Sequence, residues 1–491
     1  MNLIDLTLTE ALAKLRAREI TATELTRAYL NRIEKFNDEL FCYLTITPQR
    51  ALADAAESDK RYAAGTARLL EGIPIAMKDN FATRGIRTTA ASHILENFVP
   101  EYESTVSQKF IDAGAVLLGK TNLSEFGMAS TPKTSAFGLT YNPWQRDKKL
   151  TPGGSSCGSA SAVAGGLALV ATGTDTGNSI KFPAALTGLV GFKPTYGVCS
   201  RWGCAAFASS LDHPGAFGRT ADDCALAMSA MMGFDPLEST AAPVADDIAK
   251  SLAEPLAALR LTGLRIGLVR EFDSLEISDD IRRTFGERIE QLRAAGAEIV
   301  DISLPHINDV LILYLVISRN EASSNLSRYD GMRYGLRVEG RDLDDTYKKT
   351  RAAGFGHYVK YRLLTGSVML TEAFYKDCLL QAAKIRRILD NEFLAAFAKC
   401  DLIVSPASPC VAAPLPDDFT PKQFDDADIL HIGSNMSGLP AASVPMGLSG
   451  GLPIGMHIMG PRFDDKRVLQ FAKSIESLAN FDNRPSVVMG E

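Results

Sequence analysis

The stretch Thr151-Pro-Gly-Gly-Ser-Ser-Cys-Gly-Ser-Ala-Ser-Ala162, a weakly polar run, and then Gly173-Thr-Asp-Thr-Gly-Asn-Ser-Ile-Lys-Phe-Pro183 reads as loop, helix, buried strand, loop. The Gly153-Gly154 pair permits backbone angles closed to other residues and lets the chain pass close to a ligand. Thr174 to Ser179 offers a run of N–H groups from mostly small residues, which can form an anion-binding nest. The helix between the loops is expected at 159–167 and the strand at 168–173. Upstream, Gly72-Ile-Pro-Ile-Ala-Met-Lys78 is a short apolar run ending in a charge, a buried strand with Lys78 at its mouth. A helix follows over 103–113, Gly114 stops it, and 115–119 is a second buried strand.

The same alternation runs outward to both ends. Residues 7–35 are helical, with Thr7 as one cap and Thr21 with Glu24 as a capping box. Strands are expected at 264–269, 297–302, 401–405, 441–446 and 453–459. Helices are expected at 279–294, 308–328, 366–398 and 464–478. This pattern predicts an α/β fold with a central mixed β-sheet covered by helices on both faces. The polar stretch 232–262 is either a linker or a surface excursion. The excursion is preferred, because the later strands need a sheet to join, and so residues 1–491 are expected to form a single domain.

Composition narrows the function. Of 491 residues, 46% are apolar and 22% charged, and the net charge is −6. No Lys/Arg-rich run marks a nucleic-acid footprint, so no direct nucleic-acid binding is expected. The N-terminus lacks an apolar core of the signal-peptide kind, and 160–173 is too short to span a bilayer, so a cytoplasmic chain without a membrane role is expected. Eight scattered cysteines form no C-x-x-C pair and read as reduced thiols, not zinc ligands. The loops are not a phosphate-binding loop, because no Lys follows Gly158, and no dinucleotide fingerprint opens a helix here. A structural Gly/Ser loop capping an Ala-rich helix stays open, as does Lys78 as a strand-end cation paired with Asp79.

Together these residues resemble the amidase signature family. Its pattern has a lysine ending an upstream apolar strand, a Gly-Gly-Ser-Ser loop, and a second serine 24 residues after the first, as in Lys78, Ser155 and Ser179. The resemblance covers about 5–480 and is densest in a signature core of about 65–235. It implies an amidohydrolase. Neutral Lys78 deprotonates Ser155, Ser155 deprotonates the nucleophile Ser179, and the N–H groups of Thr176, Gly177, Asn178 and Ser179 form the oxyanion hole. A cis peptide bond beside Ser155, no cofactor and no metal are implied too.

The resemblance extends to the glutaminase A subunits of tRNA-dependent amidotransferases, through Cys199–Gly203, Ala206–Asp212, Glu321–Gly335 and Lys384-Ile-Arg386. That implies Arg386 for the α-carboxylate of glutamine, Asp428 for its ammonium, and B-type and C-type partner subunits. From the residues alone, Arg386 is equally part of a solvated basic helical turn and Asp428 part of an acidic loop. Departures cluster at the pocket: Cys157 and Asn178 replace glycines, Lys181 an arginine, Lys133-Thr134 an acid–amide pair, and Leu336 a substrate-contacting tyrosine. A stand-alone amidase for another small amide, as a homo-oligomer, is the alternative; a non-catalytic scaffold is the third reading, opposed by the intact Lys-Ser-Ser set.

Overall fold

The eight expected apolar runs become strands, three more form at Tyr43–Ile46, Val190–Lys193 and His213–Gly218, and in the computed structural model, which describes residues 2–415 and 420–490, all eleven join one sheet. They are β1 (Tyr43–Ile46), β2 (Pro74–Lys78), β3 (Val116–Thr121), β4 (Val170–Asp175), β5 (Val190–Lys193), β6 (His213–Gly218), β7 (Arg265–Val269), β8 (Glu298–Ile302), β9 (Leu402–Pro406), β10 (Ala441–Ser449) and β11 (Leu452–Met459). The order across the sheet is β1-β3-β2-β4-β6-β5-β10-β11-β9-β7-β8. β2 runs parallel to β3 and β4, and β7 parallel to β8 and β9, while the remaining pairs are antiparallel. The sheet is therefore mixed, with helices on both faces. Every residue of β2, β3 and β4 is buried, as expected of strands covered on both sides.

Local signals act as read. Thr7 and Thr21 each complete a capping box, and the Asp279–Ala294 helix has the expected limits. The expected single helix over 366–398 is not formed. The chain makes one helix, His357–Met369, turns, and re-enters helical structure at Glu372, with a π-helical stretch Tyr375–Leu379 before Leu380–Phe397. The acidic segment holding Asp428 is not a loop but the helix Pro421–Met436, opened by a Thr420/Gln423 capping box. The stretch 232–262 includes the helix Ala245–Ser251. It is pinned by its backbone: Leu256 N–H donates to Asp222, and Lys473 donates to Leu256 O.

The parallel neighbours β2 and β4 position the site. Their register, Ala76 beside Ala171, brings Lys78 and Thr174 to the same carboxyl edge of the sheet, where α/β folds open their crevices.

Candidate active site

Lys78 ends β2 wholly buried, and its N–H donates to Thr172 Oγ1 at 2.8 Å. Its amine lies 2.9 Å from Ser155 Oγ, 2.8 Å from Ser156 Oγ, 2.8 Å from Thr174 Oγ1 and 3.4 Å from Thr174 O. These partners are neutral. Asp79, the carboxylate next in sequence, instead faces Lys120 at 3.2 Å and accepts from Thr89. Burial accordingly pushes the Lys78 ammonium down to about 8, although Cys157, Cys204, Asp175 and Asp212 pull the other way. A lysine at that level holds a neutral fraction near pH 7.

Ser155 follows a cis Gly154–Ser155 peptide bond. The two serine loops are stitched together: Ser156 N–H donates to Ser179 O at 3.3 Å, and Ser124 N–H to Ser155 O at 3.0 Å. Gly127 faces Ser155 from a backbone with φ +72°, which favours glycine; a Cβ there would be in ordinary contact, 3.5 Å from Ser155 Oγ.

The nucleophile loop leaves β4 at Asp175, and that side chain sets its shape. Asp175 Oδ2 accepts from Ile180 N–H at 2.7 Å and Lys181 N–H at 3.3 Å, while Oδ1 accepts from Lys181 Nζ and Asn435 Nδ2, both at 2.8 Å. Lys181 Nζ also donates to Gly177 O and Asn435 Oδ1. Burial opposes ionisation of Asp175, but Lys181 and these donors overcome it and hold the carboxyl below the usual range. Thr176 is fixed from its other side by Asp212 at 2.7 Å. Within this frame the N–H groups of Gly177, Asn178 and Ser179 donate to no described residue.

Beside the loop lies a second set of groups. Gly177 packs against Ile432 and the Tyr314 ring: a Cβ there would fall 3.2 and 3.3 Å from them and push both back slightly. Asn178 Nδ2 donates to Asp428 Oδ1 at 2.7 Å, and Ser130 Oγ donates to Asn178 Oδ1 at 3.1 Å. Burial raises the Asp428 carboxyl to about 7, with Arg362 the strongest charge opposing it. Arg362 is 6% exposed, and its guanidinium stacks over Phe207 and Tyr358. One nitrogen donates to Tyr358 Oη at 2.7 Å, while buried Nε and Nη1 have no partner among the described residues. A buried arginine with part of its fork unpaired is costly alone and suited to an anionic ligand.

Arg386 is not in this group. Its Nε donates to Met436 O, and its terminal nitrogens donate to Ser210 Oγ and Ser210 O, so the fork is spent on the protein. It lines a separate cavity with Tyr196, Asp390 and Arg462. Leu336 lies in the segment after Tyr334, where its N–H donates to Ile94 O at 2.8 Å. The tyrosine at the nucleophile loop is Tyr314. Arg362 and Tyr314 escaped the sequence reading, as did the contacts of Ser156 and Thr174 with Lys78, because these depend on neighbours distant in the chain. A cavity of about 540 Å³ adjoins the site on its Asn80, Thr174 and Asp212 side. The two serines do not line it.

A mixed sheet that brings a buried, part-neutral lysine against a serine loop defines an α/β serine hydrolase. The chain belongs to the amidase family, whose sequence model, described as Amidase, matches residues 24–469. It is an amidase. It is 47% identical over 488 residues to the glutamyl-tRNA(Gln) amidotransferase A subunit of Rhizobium meliloti (strain 1021), covering 97% of this chain and 98% of that one. Among solved structures it is similar to the glutamyl-tRNA(Gln) amidotransferase A subunit from Thermotoga maritima (TM-score 0.79, 32% identity, 99% and 97% of the two chains). It is also similar to the peptide amidase of Stenotrophomonas maltophilia (TM-score 0.81, 29% identity, 98% of each chain).

Proposed function

We propose that the chain hydrolyses the carboxamide of glutamine and releases ammonia, in the cytoplasm, as the A subunit of a tRNA-dependent amidotransferase with B-type and C-type partners. Arg362 and Asp428, close enough beside the nucleophile loop for the guanidinium to act on the carboxyl, carry this reading. The unpaired Nε and Nη1 of Arg362 take the α-carboxylate, Asp428 Oδ2 takes the α-ammonium, and the carboxamide reaches Ser179. The likeness to amidotransferase A subunits over almost the whole chain supports the assignment.

The chemistry follows from the four contacts of Lys78. In its neutral form the Nζ lone pair takes the Ser155 proton across 2.9 Å, and Ser155 Oγ takes the proton of Ser179 as Ser179 attacks the carbonyl carbon. The oxyanion meets N–H groups from Thr176 to Ser179. The proton returns through Ser155 to the leaving nitrogen, ammonia departs, and water hydrolyses the acyl-Ser179 ester by the same relay.

The stand-alone reading has one observation in its favour. Asn178 already occupies Asp428 Oδ1, which narrows the room for a substrate ammonium. Ammonia release by the purified chain, from glutamine and from a panel of simple amides, separates the two. Glutamine turnover that falls on Arg362→Ala supports the first, and preference for an amide without charged ends supports the second.

A further inference from the structure

We propose that Glu125 is a positioning residue that sets the substrate-binding helix against the catalytic serines. Glu125 is 1% exposed and lies in the segment after β3. Its carboxylate accepts Ser92 Oγ at 2.5 Å and the N–H of Gly356 through both oxygens, at 3.0 and 3.1 Å. Gly356 is the residue before the His357–Met369 helix, and no side chain of its own segment caps that helix. Glu125 instead takes the N–H of the N-cap residue itself, from 231 positions away in the chain. The fit requires glycine: a Cβ on residue 356 would sit 2.3 Å from Glu125 Oε2. A buried carboxylate at a helix N-terminus satisfies orphan N–H groups and lies with the helix dipole.

The two ends of this contact belong to different halves of the site. Ser124, immediately before Glu125, donates its N–H to Ser155 O, and Gly127, two residues on, faces Ser155 Oγ. The helix that follows Gly356 carries Tyr358 and Arg362. Ser92 extends the joint, its Oγ lying 3.1 Å from Gly354 O. Phe126 packs on Phe355, with ring centroids 5.8 Å apart. Glu125 thus fixes the distance between the serine that relays the proton and the guanidinium that holds the substrate carboxylate. This inference rests on the proposed role of Arg362.

The test compares glutamine with 4-aminobutyramide, which keeps the amide and ammonium but lacks the carboxylate. It uses the wild-type chain, Glu125→Ala, Glu125→Gln, Arg362→Ala and the Glu125→Ala/Arg362→Ala double variant, each checked for an intact thermal transition. Glu125→Ala should raise KM for glutamine about tenfold, with kcat changed far less and 4-aminobutyramide unaffected. Glu125→Gln, which still accepts from Gly356, should restore most of the KM. The double variant should be little worse than Arg362→Ala alone, because both changes act through one contact. Amide exchange at residues 356–358 should quicken in Glu125→Ala. Arg362→Ala raising KM for glutamine with Glu125→Ala silent would overturn the role of Glu125 and leave the substrate reading standing. Both variants silent would overturn both. Equal losses of kcat on both substrates in Glu125→Ala would reduce Glu125 to a general structural residue and overturn the inference.

Discussion

Lys78 has three hydroxyls and one carbonyl around its amine, and burial holds it at about 8. A lowered pKa means the neutral base is lost as pH falls. kcat/KM should therefore rise with pH along a limb centred near 8, read from a pH–rate profile. Lys78→Ala should remove that limb and cost about 10²–10⁴ in rate. His213, whose Nδ1 faces Leu211 O, should not set the limb, so His213→Asn that abolished it with the fold intact would refute the relay. Asp428 is shifted the other way, upward, yet acts on the rate in the same direction. Its carboxyl, raised to about 7, must ionise to hold an ammonium, so KM for glutamine should fall as pH rises through about 7. Asn178 donates to that carboxylate and favours its charged form. Asn178→Gly should move the KM change to higher pH and open the pocket to bulkier amides; an unchanged KM profile would show that Asn178 does not tune Asp428. Arg362→Ala removes a charge-assisted fork of about 1.5–3 kcal/mol, roughly a ten- to hundredfold rise in KM.

At the scale of elements, the nucleophile loop is held by a buried clamp between the end of β4 and the Pro421–Met436 helix. Asp175 and Lys181 are both fully buried and are tied to Asn435. Lys181→Met leaves Asp175 charged and unpaired, at a cost of about 3–5 kcal/mol. The thermal midpoint should drop markedly, and an unchanged midpoint would mean that Asp175 does not rely on Lys181. The elements legible in the sequence were those whose signal is local. β2 and β3 show as apolar runs between turn residues, and Asp279–Ala294 shows as a clean amphipathic helix. The Pro421–Met436 helix also had a local signal, Thr420 with Gln423, but the acidic run behind it reads as a loop. The break after Met369 and the burial of Arg362 had none. Arg362 stands in Tyr358-Val-Lys-Tyr-Arg362 with no local sign of burial, and the Phe207 ring beneath its guanidinium comes from another element. Arg386 looked equally suited because the pattern of a basic turn cannot show that Ser210 and Met436 saturate it.

Across the whole molecule, one sheet carries strands from both sides of the polar stretch 232–262, with β7 and β8 at its far edge and β1 at the other. A chain built this way should unfold as a unit. Limited proteolysis should nick the surface without releasing two halves that stay folded, and recovery of two such halves would contradict the single-domain reading. The central claim remains chemical: Ser179, activated through Ser155 by Lys78, forms a covalent acyl intermediate with an amide substrate. Rapid quenching of the enzyme during glutamine turnover, followed by mass analysis of its peptides, tests it directly. The acyl mass should appear on the peptide holding Ser179, and vanish in Ser179→Ala along with ammonia release. An adduct on another residue, such as Cys157, or ammonia release that survives Ser179→Ala, would contradict the account.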